Sequence, residues 1–220
     1  MRNHKTYMNK LTSLTLPILA LLCSCEDDAD NYRYPSVITD YTCLTIDAHG
    51  EPKQLRLDNG LAYPIAFTDE YYEAYGQLPT YKADTVYRVF STYELGTDSV
   101  ARTHAIQQIV SMVPTPLHDG EILHQDPTYL QSCWMSGGYL NMVIELKALD
   151  GKHYIGFIDT TPEGMRGKEI TFYHHAEDIE SHRKKLYASI PIDKSLQEGD
   201  TVRFVINLYD KGITRREFVM

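Results

Sequence analysis

The sequence predicts an all-β chain in which an OB-like barrel is followed by an immunoglobulin-like β-sandwich. Three observations carry that prediction. Five short runs of strand-type residues fall within 36–114, the break Pro114-Thr115-Pro116 follows them, and a second set of alternating runs fills 117–220.

The first set occupies 37–46, 53–57, 61–67, 85–93 and 105–113, separated by Gly50, Asp58-Asn59-Gly60 and Gly96. Leu55 and Leu57 alternate with Gln54 and Arg56, and Asn-Gly between two such runs is the strongest short-range hairpin signal. Five short strands in this space suit a small Greek-key barrel of the OB type. Residues 69–75 read either as a short helix or as a cover over the barrel mouth made by Tyr71, Tyr72 and Tyr75. Two prolines, at 114 and 116, then remove backbone donors and fix φ, so a domain boundary is expected there, with an OB-like domain at 36–114 and a sandwich domain at 117–220.

In the second set, 139–149 places Leu140, Met142, Ile144, Leu146 and Ala148 on one face and Asn141, Glu145 and Lys147 on the other. Asp150-Gly151 turns the chain back into 153–158, and further runs cover 169–174, 185–190, 200–209 and 213–220. Val202, Phe204, Ile206 and Leu208 form a buried face of the penultimate strand. Six or seven antiparallel strands of this kind argue for the immunoglobulin-like sandwich. Trp134, just before a tight Gly137-Gly138 turn, is expected as a core anchor of that sandwich.

Ahead of both domains, Arg2, Lys5 and Lys10 precede or flank a mainly apolar run at 11–22, too short to span a bilayer and of signal-peptide length. The run ends in Leu22-Cys23-Ser24-Cys25, which resembles the lipobox of bacterial lipoproteins. That resemblance implies a signal peptide at 1–24 and diacylation of Cys25, which becomes the first mature residue; an ordinary secretory cut nearby is disfavoured by the lack of an A-x-A-like site. The stretch 25–35 reads as an acidic tether. Its cluster Asp27, Asp28 and Asp30 also resembles the surface-export signal of Bacteroidota lipoproteins, so an outer-membrane lipoprotein is expected, facing either the periplasm or the cell surface.

Loss of the leader removes three cations and takes the formal charge from −9 to −12, which repels nucleic acid and anionic headgroups. The expected partners are the membrane, through lipidated Cys25, and a protein or glycan ligand, with no nucleic acid and no cofactor. Cys43 and Cys133 remain as either a disulfide, which an oxidising compartment permits, or two buried thiols.

Several stretches resemble the NigD-like family of lipoproteins from Bacteroidota: the lipobox and acidic linker, Tyr34-Pro35-Ser36-Val37, Trp134 followed by Gly138-Tyr139-Leu140-Asn141, and Leu186-Tyr187-Ala188-Ser189-Ile190-Pro191-Ile192 followed by Gly199-Asp200-Thr201-Val202. The resemblance covers essentially the whole mature chain and implies the same pair of domains. It carries over no catalytic residues, and the family's name, taken from a bacteriocin gene cluster, points to immunity.

Candidate chemistry is sparse. His174, His175, Glu177, Asp178, Glu180 and His182 are residue types that bind zinc. Adjacent strand histidines point to opposite faces, however, and no H-E-x-x-H spacing is present, so a solvated loop is expected and no metal. Ser181-His182-Arg183-Lys184 matches S-x-x-K without the companion elements that this chemistry needs. Sixteen tyrosines follow the leader, and Tyr71, Tyr72, Tyr75 and Tyr81 are the best candidates for an aromatic ligand surface, because tyrosine offers apolar area with a polar tip. The expectation is a non-catalytic envelope lipoprotein that binds a partner, with bacteriocin immunity as the alternative and a metal-dependent hydrolase behind both.

Overall fold

A computed structural model describes residues 36–118, 120–147, 152–177 and 182–220. The leader, Cys25 and the acidic tether lie outside the described residues, as do Asp178, Glu180 and Ser181. Among the described residues no helix is long and apolar enough to cross a membrane.

The N-terminal half is a closed barrel of β1 (Ile38–Ile46), β2 (Pro52–Arg56), β3 (Ala62–Phe67), β4 (Val86–Leu95) and β5 (Ala101–Gln108), in the order β1-β2-β3-β5-β4. A short helix, α1 (Asp69–Tyr75), lies between β3 and β4. Closure depends on β1 pairing with both β2 and β4 and on a three-residue parallel contact of β3 with β5. It leaves no sheet edge unpaired around the ring. Leu44, Ile46, Leu55, Val89 and Tyr93 fill the interior. The helix reading of 69–75 holds because Thr68 caps its start, accepting from the Tyr71 N–H at 3.3 Å, and Gly76 with φ 76° ends it.

The final barrel strand begins and ends earlier than the periodicity predicts. A turn through Gly96 and Ser99, the latter at φ 58°, returns the chain directly into Ala101, where the run Ala-Arg-Thr-His carries little apolar signal. The residues after Gln108 leave the barrel. Val110 hydrogen-bonds to the backbone of Tyr187 and Ser189 in the second half.

That half contains β6 (Thr115–Pro116), β7 (Tyr129–Ser136), β8 (Tyr139–Lys147), β9 (His153–Asp159), β10 (Gly167–Ala176), β11 (Arg183–Pro191), β12 (Thr201–Leu208) and β13 (Gly212–Val219). Sheets of order β13-β12-β10-β9-β6 and β11-β8-β7 form the sandwich. Leu140, Met142, Ile144, Phe157, Phe172, Ile190, Phe204 and Ile206 pack between them, each burial contributing roughly 1.5–3 kcal/mol. The sheets are not wholly antiparallel as expected. Because β11 crosses to the other sheet, β10 and β12 meet in parallel, and β6 pairs with β9 in the same sense. Strand β7 escaped the periodicity argument because a bulge between Leu130 and Ser132 breaks its alternation.

Barrel and sandwich lie within one compact unit, 36–220. Tyr41, Thr42, Cys43 and Leu44 are consecutive and all buried, and so is the run from Leu140 to Ile144. Two successive strand residues point to opposite faces, so β1 and β8 are each covered on both sides. What covers the second face of each is the other half of the molecule.

Candidate functional site

A buried polar assembly forms where β1 and β4 of the barrel meet β7, β8 and β11 of the sandwich. Arg88 projects from β4 and its side chain is 1% exposed. Asp58 reaches it from the β2–β3 turn, a three-residue loop closed by the Leu57 N–H to the Leu61 carbonyl at 2.8 Å, with Gly60 at φ 88°. Both carboxylate oxygens of Asp58 accept from the guanidinium, Oδ1 from Nη1 at 2.5 Å and Oδ2 from Nη2 at 2.8 Å.

The sandwich completes the shell. Arg88 Nη2 also donates to Asn141 Oδ1 at 3.0 Å, and Nε donates to Ser189 Oγ at 3.0 Å. Ser189 Oγ donates in turn to Asn141 Oδ1 at 2.6 Å, Asn141 Nδ2 donates to Ser136 Oγ at 2.9 Å, and Ser136 Oγ donates to Asp58 Oδ2. The Tyr139 ring lies 4.2 Å from the guanidinium carbon, and the Cys43 thiol sits 3.7 Å from Nη1. Burial works to raise the Asp58 pKa, but hydrogen bonds from Arg88 and Ser136 and the guanidinium charge outweigh it and hold the carboxyl below its ordinary value. Asp58 therefore stays ionised, with both oxygens engaged.

An aromatic seam continues the contact. Tyr41 meets Trp134 edge-on at 5.2 Å and Phe90 at 5.3 Å, its hydroxyl donates to the Met142 carbonyl at 2.8 Å, and Phe90 stacks on Tyr187 at 4.6 Å. Trp134 is thus half-buried against the barrel, not a core anchor inside the sandwich. Asn141, expected on a polar outer face, is fully buried because the barrel covers that face. Chemically the assembly is a joint: its carboxylate is neutralised, its arginine donors are occupied, and what it does is hold two β bodies together.

Sequence reasoning did not single out Asp58, Arg88, Ser136 or Ser189 for this role. A signal was present in 86–93, where the face opposite Tyr87, Val89, Ser91 and Tyr93 carries Val86, Arg88 and Phe90, too apolar for a solvated barrel exterior. Gly137-Gly138 is the tight turn anticipated, with φ of 58° and 81°.

The four tyrosines separate. Tyr71 and Tyr81 are buried, Tyr71 among Phe67, Tyr72 and Tyr75 and Tyr81 beside Tyr87, so the exposed aromatic surface comes down to Tyr72 and Tyr75. His174 and His175 are strand residues of β10 and not part of a solvated loop. His174 is buried against His153, while His175 lies against His124, its ring tilted, on the other face. Glu177 accepts from the Tyr154 hydroxyl, and His182 is exposed at the entry to β11. Among the described residues no three His, Cys, Asp or Glu side chains are grouped to hold a metal ion. Cys43 and Cys133 are free thiols in different halves of the molecule, Cys133 with its pKa pushed up by burial to about 12.

A family model described as the NigD-like C-terminal beta sandwich domain matches residues 108–220. Among curated proteins none matches the chain. The solved structure of a NigD-like immunity protein from Bacteroides caccae is similar over 86% of this chain and 99% of its own, at 25% identity and a TM-score of 0.65. A protein provisionally named as toxin-related, from Parabacteroides distasonis, shares the fold over 84% of this chain and 93% of its own, at 20% identity and a TM-score of 0.61. A provisionally named lipoprotein from Bacteroides fragilis shares it over 82% and 96%, at 8% identity and a TM-score of 0.53. With its C-terminal half matched by the family model and most of its length superposed on a NigD-like structure, the chain belongs to the NigD-like family of the Bacteroidota.

Proposed function

We propose that this protein is a non-catalytic lipoprotein of the outer membrane, anchored through acylated Cys25, that presents its barrel and sandwich as one rigid body to a protein or glycan partner. The observation that carries this reading is the use made of the stretches that bear the family resemblance. Trp134, Tyr139, Asn141 and Ser189 converge on the barrel–sandwich joint: Asn141 and Ser189 bond to each other and to Arg88, the Tyr139 ring lies against the guanidinium and Trp134 meets Tyr41 edge-on, so they serve rigidity and leave no reactive group facing a cleft. Tyr72 and Tyr75, exposed on α1, are the aromatic surface offered to the partner. Membrane fractionation tests the anchor: Cys25→Ala is expected in the soluble fraction, and a variant still acylated and membrane-bound would overturn it. Protease treatment of intact cells, comparing the natural chain with Asp27, Asp28 and Asp30 replaced by Ala, decides which side of the membrane it faces.

A second reading is favoured by one observation, the likeness at 25% identity to a structure named as an immunity protein. On it, the partner is a bacteriocin held away from its target. Cells that make the toxin and lack this gene would become sensitive to it, whereas loss of a binding module for other ligands would leave sensitivity unchanged.

A further inference from the structure

The parallel pairing of β10 with β12 stops at Thr171 and Val205, although both strands run on. The segment 124–128 fills the split. Its residues bridge to each strand, Gln125 beside His174 and Thr128 beside Leu208. The His174 N–H donates to the His124 carbonyl at 3.0 Å, the Asp126 N–H to the His174 carbonyl at 2.9 Å, and Asn207 Nδ2 to the Gln125 carbonyl at 2.7 Å.

A pair of imidazoles closes this arrangement, and their hydrogen bonds fix where the protons are. His174 Nδ1 lies 3.0 Å from the Asp126 carbonyl oxygen. A carbonyl only accepts, so Nδ1 carries the hydrogen and neutral His174 has its lone pair on Nε2. His153 Nδ1 is 2.9 Å from that nitrogen and must be the donor. The remaining lone pair, on His153 Nε2, is buried and has no partner among the described residues. The two rings are nearly parallel, at 8°, with centroids 5.2 Å apart, the spacing of an edge-to-edge hydrogen-bonded pair.

This chain of bonds exists with both rings neutral. A first added proton has one free lone pair to occupy, on His153 Nε2, where the new N–H is buried without an acceptor. A second would fall on His174 Nε2, and two donors would then face each other across 2.9 Å. The surrounding ionisable groups do little to offset either charge. From the inserted segment, Asp126 turns its carboxylate to the Ala176 N–H at 2.7 Å and to His175 at 3.6 Å, and His124 lies against His175 with centroids 4.2 Å apart. From β9, Tyr154 is engaged with Glu177; on β10 itself stand Tyr173 and His175; beyond β12 is Tyr209. We propose that the His153–His174 pair is an acid-sensitive pin, which in its neutral form locks 124–128 between β10 and β12 and on protonation releases it. His124 also walls a groove of about 580 Å3 lined by Leu117, Ile122, Phe157, Ile158 and Tyr173, so release of the segment moves one wall of that groove.

Burial lowers the pKa of His174, so the closed form binds its proton less readily than the open one; the locking is complete above about pH 6.5 and is lost as pH falls. The test is hydrogen exchange of the whole mature chain at about pH 7.5 and about pH 5, corrected for the intrinsic exchange rate. Protection of 124–128 and of His174 to Ala176 is expected to fall about tenfold or more at the lower pH, while β1 to β5 keep theirs. Replacing both rings, His153→Asn with His174→Asn, removes the imidazoles and leaves amide groups to hydrogen-bond in their place, and is expected to abolish the difference. Equal protection at both pH values in the natural chain, or an undiminished loss in the double variant, would overturn the proposal. Histidine ring resonances of the natural chain give an answer free of any variant: the His174 ring should titrate together with the amides of 124–128, and a His174 ring that titrates without moving those amides would equally refute the pin.

Discussion

The carboxylate of Asp58, at the tip of a barrel hairpin, lies where a side chain on Gly137 of the sandwich would have to be. A Cβ built on Gly137 would stand 2.6 Å from Asp58 Cγ, and Gly137 has φ 58°. Two turns from different β bodies thus meet with no room for a methyl group between them. Gly137→Ala should push the carboxylate off Arg88 and lower stability by about 2–4 kcal/mol, combining backbone strain with a loosened buried ion pair. Gly138→Ala, at φ 81° with nothing within 4 Å, carries the strain alone and should cost about 1–2 kcal/mol. Urea denaturation of both variants checks the order; equal losses would mean that the close approach to Asp58 is unimportant.

Removing one partner of the buried pair should be more damaging than removing both. Asp58→Ala leaves the Arg88 guanidinium buried with its charge uncompensated, a situation that costs about 3–5 kcal/mol. A double variant, Asp58→Ala with Arg88→Met, should recover part of that loss. A double-mutant cycle on unfolding free energies measures the coupling, which should be large and favourable.

Acid should weaken the joint in a defined window. The Asp58 pKa is held below its unfolded value of about 3.9, so the stability it contributes is fully present above about pH 4 and is lost as pH falls through the folded value. Asp58→Asn should therefore flatten the pH dependence of unfolding in that range. Denaturation midpoints at a series of pH values are the measurement.

The two neighbouring tyrosines of α1 should behave differently. Tyr71 is 2% exposed, and Tyr71→Ala should destabilise by about 3–5 kcal/mol, as truncation of a large core aromatic does. Tyr72, 44% exposed, should be nearly neutral for stability, within about 0.5 kcal/mol, while Tyr72→Ala together with Tyr75→Ala should weaken partner binding. Thermal melts followed by binding measurements with the captured partner separate the two effects.

Thiol titration should count two free cysteines in a chain that begins after Cys25. Cys43 and Cys133 are unpaired, and in the folded protein Cys133 should react slowly because burial pushes its pKa to about 12. Complete labelling of both in denaturant, and slow labelling of Cys133 without it, are the expected results.

The amino-acid sequence by itself determined a good deal of this protein. Period-two alternation in 202–208, the Asn59-Gly60 turn and the Gly137-Gly138 turn are local properties of backbone and side chain, so they mark strands and hairpins wherever the chain is read. The family likeness was likewise legible, because it rests on short contiguous stretches. What the tertiary structure alone decided is which faces are covered. Asn141 reads as an ordinary outward-facing polar residue until the barrel and sandwich meet across it. Strand β7 is hidden by a bulge that breaks its alternation, and Tyr71 and Tyr72 differ in burial although they are adjacent in sequence. Local periodicity reports that a strand has two faces; whether one or both are removed from water depends on residues a hundred positions away, such as Ser189 on Arg88, and no window along the chain contains that contact.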